Sequence, residues 1–175
     1  MASSVLPFNQ LAEQCQAAGL TVENAAKIAA ELSRSFRVHD DEVAILKLEQ
    51  AQLKFIYPPQ LSNVGMIPLS HANSVAARTA TTKRPEAINN LSQMRHASIF
   101  ESVPVVSKSR SKKLDRNAMV IQKMMSVPVV GPKGVLGVVQ ISRKGVTQQS
   151  AGPDFQPGDL TRLASAAAAL AKCFK

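Results

Sequence analysis

Aromatic residues are scarce in this 175-residue chain, which has no Trp, one Tyr and six Phe, 4% in all. Ala, Val, Leu, Ile and Met must therefore fill the interior, within an ordinary apolar content of 45%. The shortage also removes the stacking platform that binding of single-stranded nucleic acid requires. Cysteine is limited to Cys15 and Cys173, near opposite ends, with no CxxC or His-rich spacing to build a structural zinc site. No stretch approaches about 18 uninterrupted apolar residues, so no membrane partner is expected. The start MASSVLPFNQ lacks the basic segment and apolar run of a signal peptide. A soluble, cytoplasmic chain with one domain over 1–175 is the expectation.

The formal charge of +9 is unevenly spread. Residues 1–60 hold 5 Lys/Arg against 7 Asp/Glu, and residues 61–175 hold 16 against 5. Such asymmetry suits an anionic partner, yet no recognition-helix or zinc-finger pattern accompanies it. The least core-like stretch is 104–117, PVVSKSRSKKLDRN, where Lys108, Arg110, Lys112, Lys113 and Arg116 face only Asp115. Like charges at this density predict a mobile, solvated surface loop. Contact with nucleic acid or an acidic partner is the functional alternative. Nucleic-acid binding by such a loop is nonspecific and fades as salt rises.

The strongest pattern lies in 119–144, MVIQKMMSVPVVGPKGVLGVVQISRK, which reads as two strands joined at Gly131-Pro132-Lys133-Gly134. Both faces of the second strand are largely apolar, which places the hairpin near the middle of a sheet covered on both sides. Upstream, a modest helix spans 7–19, with Phe8, Leu11, Cys15 and Ala18 at helical spacing. A stronger one follows, with Thr21 as N-cap and Ala25, Ile28, Ala29, Leu32 and Phe36 on one face, fading by about 38–40. Residues 42–57 predict a β-hairpin bent at Glu49-Gln50-Ala51-Gln52, although propensity alone also allows helix. Pro58-Pro59 ends it. A connection over 61–69, a helix over 71–82 capped by Ser70, a short strand over 86–91 and a brief helix over 93–100 come next. After the hairpin and a polar loop over 145–157, the last helix carries Leu160, Leu163, Ala164, Ala167, Leu170, Ala171 and Phe174 on one face. Pro157 stands in its first turn.

This order and four local patterns resemble the GAF domain family. Ile67-Pro68-Leu69-Ser70 followed by Ser74–Thr79 and Thr82-Lys83-Arg84-Pro85 is similar to the family's helix and its closing turn. Ala87-Ile88-Asn89-Asn90 resembles the next strand. Met125–Val130 with Gly137–Ile141 resembles the central hairpin, with Pro128 and Gly137 as its marks. Asp154-Phe155 with Asp159–Ala164 resembles the start of the closing helix. The likeness covers about residues 20–174. It implies an α+β fold related to PAS: an antiparallel sheet of about six strands, terminal helices on one face, shorter helices and a ligand pocket on the other.

The resemblance also implies a stand-alone regulatory or sensory module, signalling by small-molecule or partner binding rather than by catalysis. The cyclic-nucleotide constellation is missing, and the region after Pro85 offers only Asn89 and Asn90. For a ligand, the segment Met94–Ser98 stands out, where Arg95, His96 and Ser98 supply donors near a helix start. Phe100, Met119, Met124 and Met125 are candidate pocket wall, and ordinary core explains them as well. His71 and His96 are the pocket-side imidazoles that haem would need, and a capping or surface role accounts for both. No cofactor or metal is identified. The enzymatic exception in the family, free methionine sulfoxide reductase, needs cysteines in the pocket wall, whereas Cys15 and Cys173 fall on the terminal helices. Those helices being neighbours, the two thiols can approach each other and remain inert. Homodimerisation through the terminal helices, a signalling partner, or a ligand-free scaffold role complete the expectations.

Overall fold

The structure is a computed structural model that describes residues 6–71, 73–93 and 119–175. In chain order the elements are α1 (Leu6–Cys15), α2 (Val22–Phe36), β1 (Val43–Glu49), β2 (Gln52–Tyr57), β3 (Met66–Pro68), α3 (Val75–Thr82), β4 (Glu86–Ile88), β5 (Val120–Gly131), β6 (Gly134–Gly145) and α4 (Pro157–Leu170). The six strands form one sheet in the order β3-β2-β1-β6-β5-β4, every neighbouring pair antiparallel. This is the α+β architecture expected.

The terminal helices cover one face. In α2, Thr21 Oγ1 accepts from the Asn24 N–H at 3.1 Å, which satisfies one of the free donors of the first turn. Ala25, Ile28, Ala29, Leu32 and Phe36 are all buried, as their spacing predicts. The helix stops at Arg37, in a left-handed conformation (φ 54°), whose N–H returns to the Arg34 and Ser33 carbonyls. α1 is shorter than expected. Gly19 (φ 75°) donates its N–H to the Cys15 carbonyl at 2.8 Å, so the chain turns before Ala18 and leaves that residue exposed. α4 buries Leu163, Ala166, Ala167 and Leu170. Together these helices pack on Ile45, Met125, Val127, Val129, Val139 and Ile141. The other face carries Leu46, Leu53, Phe55, Ile67 and Val138 against Ala76, Ala77 and Ala80 of α3.

The sequence 42–57 is a hairpin because its alternation matches two partners at once, β2 on one side and β6 on the other. Its turn holds Gln50 and Ala51 at φ 50° and 60°, values usually left to Gly or Asn. Three expectations need correction. The connection 61–69 contains β3, an edge strand too short to show periodicity, with Pro68 tolerated at the edge. α3 begins at Val75, not His71. Ser74 is its cap, accepting from the Ala77 N–H at 3.2 Å, while Ser70 lies in the preceding turn. Among the described residues the middle of the sheet is the β1/β6 pair, since beyond β5 there is only the three-residue β4.

At Gly137 the sheet and the C-terminus meet. A Cβ there would stand 2.2 Å from the Leu46 carbonyl oxygen and 2.7 Å from the Phe174 ring. Backbone cannot yield by that much, and Phe174 is itself buried. Gly137→Ala should therefore cost about 3 kcal/mol or more of folding free energy. Chemical denaturation measures it directly, and a loss under about 1 kcal/mol would mean the strand can shift to make room.

Candidate functional site

Successive residues of β5 and β6 point to opposite faces, so each strand contributes to two environments. On the α3 face, Ser126, Gln140 and Gln122 are polar and buried among apolar neighbours. Gln140 Nε2 donates to Ser126 Oγ at 3.2 Å, and Ser126 Oγ lies 2.7 Å from Thr79 Oγ1. Thr79 commits its only hydroxyl proton to the Val75 carbonyl at 2.8 Å, so Ser126 is the donor to Thr79. The chain of donors thus runs one way from Gln140 to the backbone of α3. Further along, Gln122 accepts from Ser92 Oγ and donates from Nε2 to the Gly145 carbonyl at 2.9 Å. Met124 sits between these polar groups and packs with Val75, Ile88 and Leu91. This face, bordered by residues 93 and 119, is the candidate binding surface.

Of the sequence-derived ligand candidates, Asn89 and Met124 are described. Met124 is buried on the α3 face, paired across strands with Ile88. Asn89 serves the other side of the sheet. Its Oδ1 accepts from the Phe155 N–H at 2.8 Å and its Nδ2 donates to the Phe155 carbonyl at 3.1 Å, clamping the loop ahead of α4. Arg95, His96, Ser98 and Phe100, the helix over 93–100 of which they are part, and the loop with Lys108, Arg110, Lys112, Lys113 and Arg116 lie outside the described residues. Sequence reasoning missed Thr79, Gln122, Ser126 and Gln140. For Gln122, Ser126 and Gln140 the signal available was a set of polar residues at strand positions otherwise filled by Met and Val, while Thr79 stands in α3.

A second polar group pins the sheet at the same end. Buried Glu42 accepts from the Lys144 N–H at 2.6 Å through Oε2 and from the His39 N–H at 2.8 Å through Oε1. Lys144 Nζ donates to the Asp41 carbonyl at 2.9 Å. These bonds satisfy groups that burial would otherwise penalise, and they belong to the fold.

Both thiols are buried on the terminal-helix side, in the cluster formed by α1, α2 and α4. Cys173 Sγ faces the Ala12 carbonyl at 3.7 Å. Burial, and then the neighbouring Cys15, push the Cys173 thiol up to about 11. The two cysteines are neighbours, as the placement of the terminal helices implied. A thiol held so far above neutrality is almost wholly protonated at pH 7 and a poor nucleophile.

No family model matches the chain, and no curated protein matches it. Solved structures do. The GAF domain of an Acinetobacter phosphoenolpyruvate-protein phosphotransferase superposes with a TM-score of 0.65 at 13% identity, over 99% of this chain and 94% of that one. The free methionine-R-sulfoxide reductase of Neisseria meningitidis, solved with its substrate, matches at a TM-score of 0.62 and 18% identity, over 97% and 86% of the two chains. The nlh2 GAF domain of A. aeolicus, in an inactive state, matches at 0.60 and 12% identity, over 98% and 95%. The chain has the GAF-domain fold. Among the described residues, no helix is long and apolar enough to cross a membrane.

The raised thiol has a consequence for stability. Between an ordinary thiol value of 9.0 and about 11, unfolded chains lose the Cys173 proton while folded ones keep it. Stability contributed by the protonated thiol is therefore complete below pH 9 and declines as pH rises toward 11. Thermal melts from pH 8 to 10.5 should fall more steeply for the wild type than for Cys173→Ala; parallel curves would contradict the assignment.

Proposed function

We propose that the chain is a regulatory or sensory domain that binds a small molecule or a partner protein on its α3 face without catalysis. The observation that carries this reading is the separation of chemistry between the two faces. Both cysteines of the chain are sealed among the terminal helices, on the far side of the sheet from Gln122, Ser126 and Gln140. A ligand on the α3 face meets amide and hydroxyl groups there, suited to recognition by hydrogen bonds, and no thiol to attack it. Neighbours in structure include both GAF domains and free methionine-R-sulfoxide reductases, and the position of the thiols favours a role other than that of the reductases. Binding acts by population shift: a ligand preferred by one arrangement of the terminal helices over the sheet moves the equilibrium toward it. Association of two copies through those helices belongs to the same proposal.

A ligand-free scaffold is the second reading. It is favoured by one observation, that Gln140, Ser126 and Thr79 already satisfy one another.

Native mass spectrometry of protein purified from its own host should show a retained small molecule, and Gln140→Leu should reduce its occupancy. A bare mass under gentle conditions supports the scaffold instead. Free methionine sulfoxide should not be turned over with a thiol reductant. Turnover abolished by Cys15→Ser or Cys173→Ser would overturn the non-catalytic reading.

A further inference from the structure

On the terminal-helix side, a cleft of about 590 Å³ opens where the end of α2, the end of β6 and the start of α4 converge. Arg37, Arg143 and Arg162 line it. Two of these guanidiniums are held by rings. Arg143 lies 4.7 Å over Phe155, the residue clamped by Asn89, and Arg162 lies 4.8 Å over Phe36. Arg162 is also anchored by the Ser35 carbonyl at 2.9 Å and by Asp159 at 3.5 Å.

Arg143 is the unusual member. In the β5–β6 ladder it stands directly opposite Lys123, a pairing of like charges that destabilises unless something answers it. Asp154 at 2.7 Å and the Gly152 carbonyl at 2.6 Å answer Lys123. No carboxylate pairs with Arg143 among the described residues, and its buried Nε has no hydrogen-bond partner. Arg37 makes no ion pair among the described residues either, although its left-handed φ is one that Asn or Gly would occupy at lower cost. Lys123, behind the lining, neutralises Asp154, and Arg162 is paired with Asp159, which among the described residues leaves Arg37 and Arg143 as two uncompensated charges at the cleft. Guanidinium forks fixed by aromatic stacking are pre-organised for a planar or tetrahedral oxyanion.

We propose that this cleft binds a small phosphate-class dianion, whose oxygens accept hydrogen bonds from Arg143 and Arg37 while Arg162 completes the cationic rim. The excess of two positive charges matches a doubly charged anion better than a single carboxylate. The cleft is larger than one phosphate and falls within the usual range for small-molecule sites, so it has room for the organic body of a phosphomonoester. It lies across the sheet from the α3 face, and the proposal stands whether or not that face takes a ligand. Because the C-cap of α2, β6 and α4 each contribute a basic residue, an anion here would tie α2 and α4 to the sheet.

Isothermal titration of the full chain with inorganic phosphate and with glycerol 3-phosphate, at constant ionic strength, tests it. Saturable one-to-one binding is expected for at least one probe. Tighter binding of the ester assigns an organic phosphate, and equal affinity assigns the free anion. Arg143→Gln should weaken binding by about tenfold or more, the loss expected for a charge-assisted hydrogen bond. Arg37→Asn suits the local backbone and should fold, so it keeps the test decisive if Arg143→Gln does not. It too should weaken binding. Lys133→Ala, in the hairpin turn, removes one positive charge away from the cleft and should leave binding unchanged. No saturable heat with either probe, wild-type affinity in Arg37→Asn, or equal loss in Lys133→Ala would overturn the assignment.

Discussion

The contact on which most of this fold depends is the approach of the Leu46 carbonyl and the Phe174 ring to Gly137, at distances that leave no space for a Cβ. One residue thereby joins three things: the β1–β6 pairing, the docking of the chain after α4, and the apolar interior between sheet and helices. Leu46 belongs to the α3-face cluster and Phe174 to the terminal-helix cluster, so the glycine sits where the two cores are closest. Burial of Phe174 alone contributes about 1.5–3 kcal/mol, and only a missing side chain opposite permits it.

From that point the sheet has an apolar end and a polar end. Toward the β5–β6 turn, Val127, Val129 and Val139 fill the helix side and Val138 the other. Toward Val120 and Gly145, charged and amide groups take over: Glu42 and Lys144, Lys123 and Asp154, Asn89 at Phe155. The polar end is held by specific bonds rather than by area. Breaking such a bond strands a buried group, so each member is demanding about its partner. Both surfaces proposed for ligands border this end.

The parts of this architecture that were legible in the sequence are those set by local periodicity. The five buried positions of α2, the Thr21 cap, the turn at Gly131–Gly134 and Pro157 in the first turn of α4 follow from spacing and backbone preference. β3 was not legible, because three residues cannot show a period of two and its existence is decided by β2. The same holds for the polar groups. Thr79 and Ser126 are 47 residues apart, Asn89 and Phe155 66, Glu42 and Lys144 102. Asn89 was singled out, yet which face its amide serves depends on strand register and on the path of a loop far along the chain. Arg143 gave no local sign at all. Its isolation arises only when β5 brings Lys123 opposite it and Asp154 turns to Lys123 instead.

β6 joins the two faces directly, as β5 does. Gln140 and Ser142 belong to the α3 side, Ile141 and Arg143 to the helix side, and all four share one backbone. Sliding of that strand is blocked, since a shift of one residue would exchange its faces and drive a side chain into Phe174 at Gly137. At the polar end α4 is joined to α2 by the Arg162 contacts with Ser35 and Phe36. These contacts are few, partly exposed and electrostatic, so each contributes little by itself. A dianion in the proposed cleft would act on this joint between α2 and α4, where it competes with contacts of similar strength.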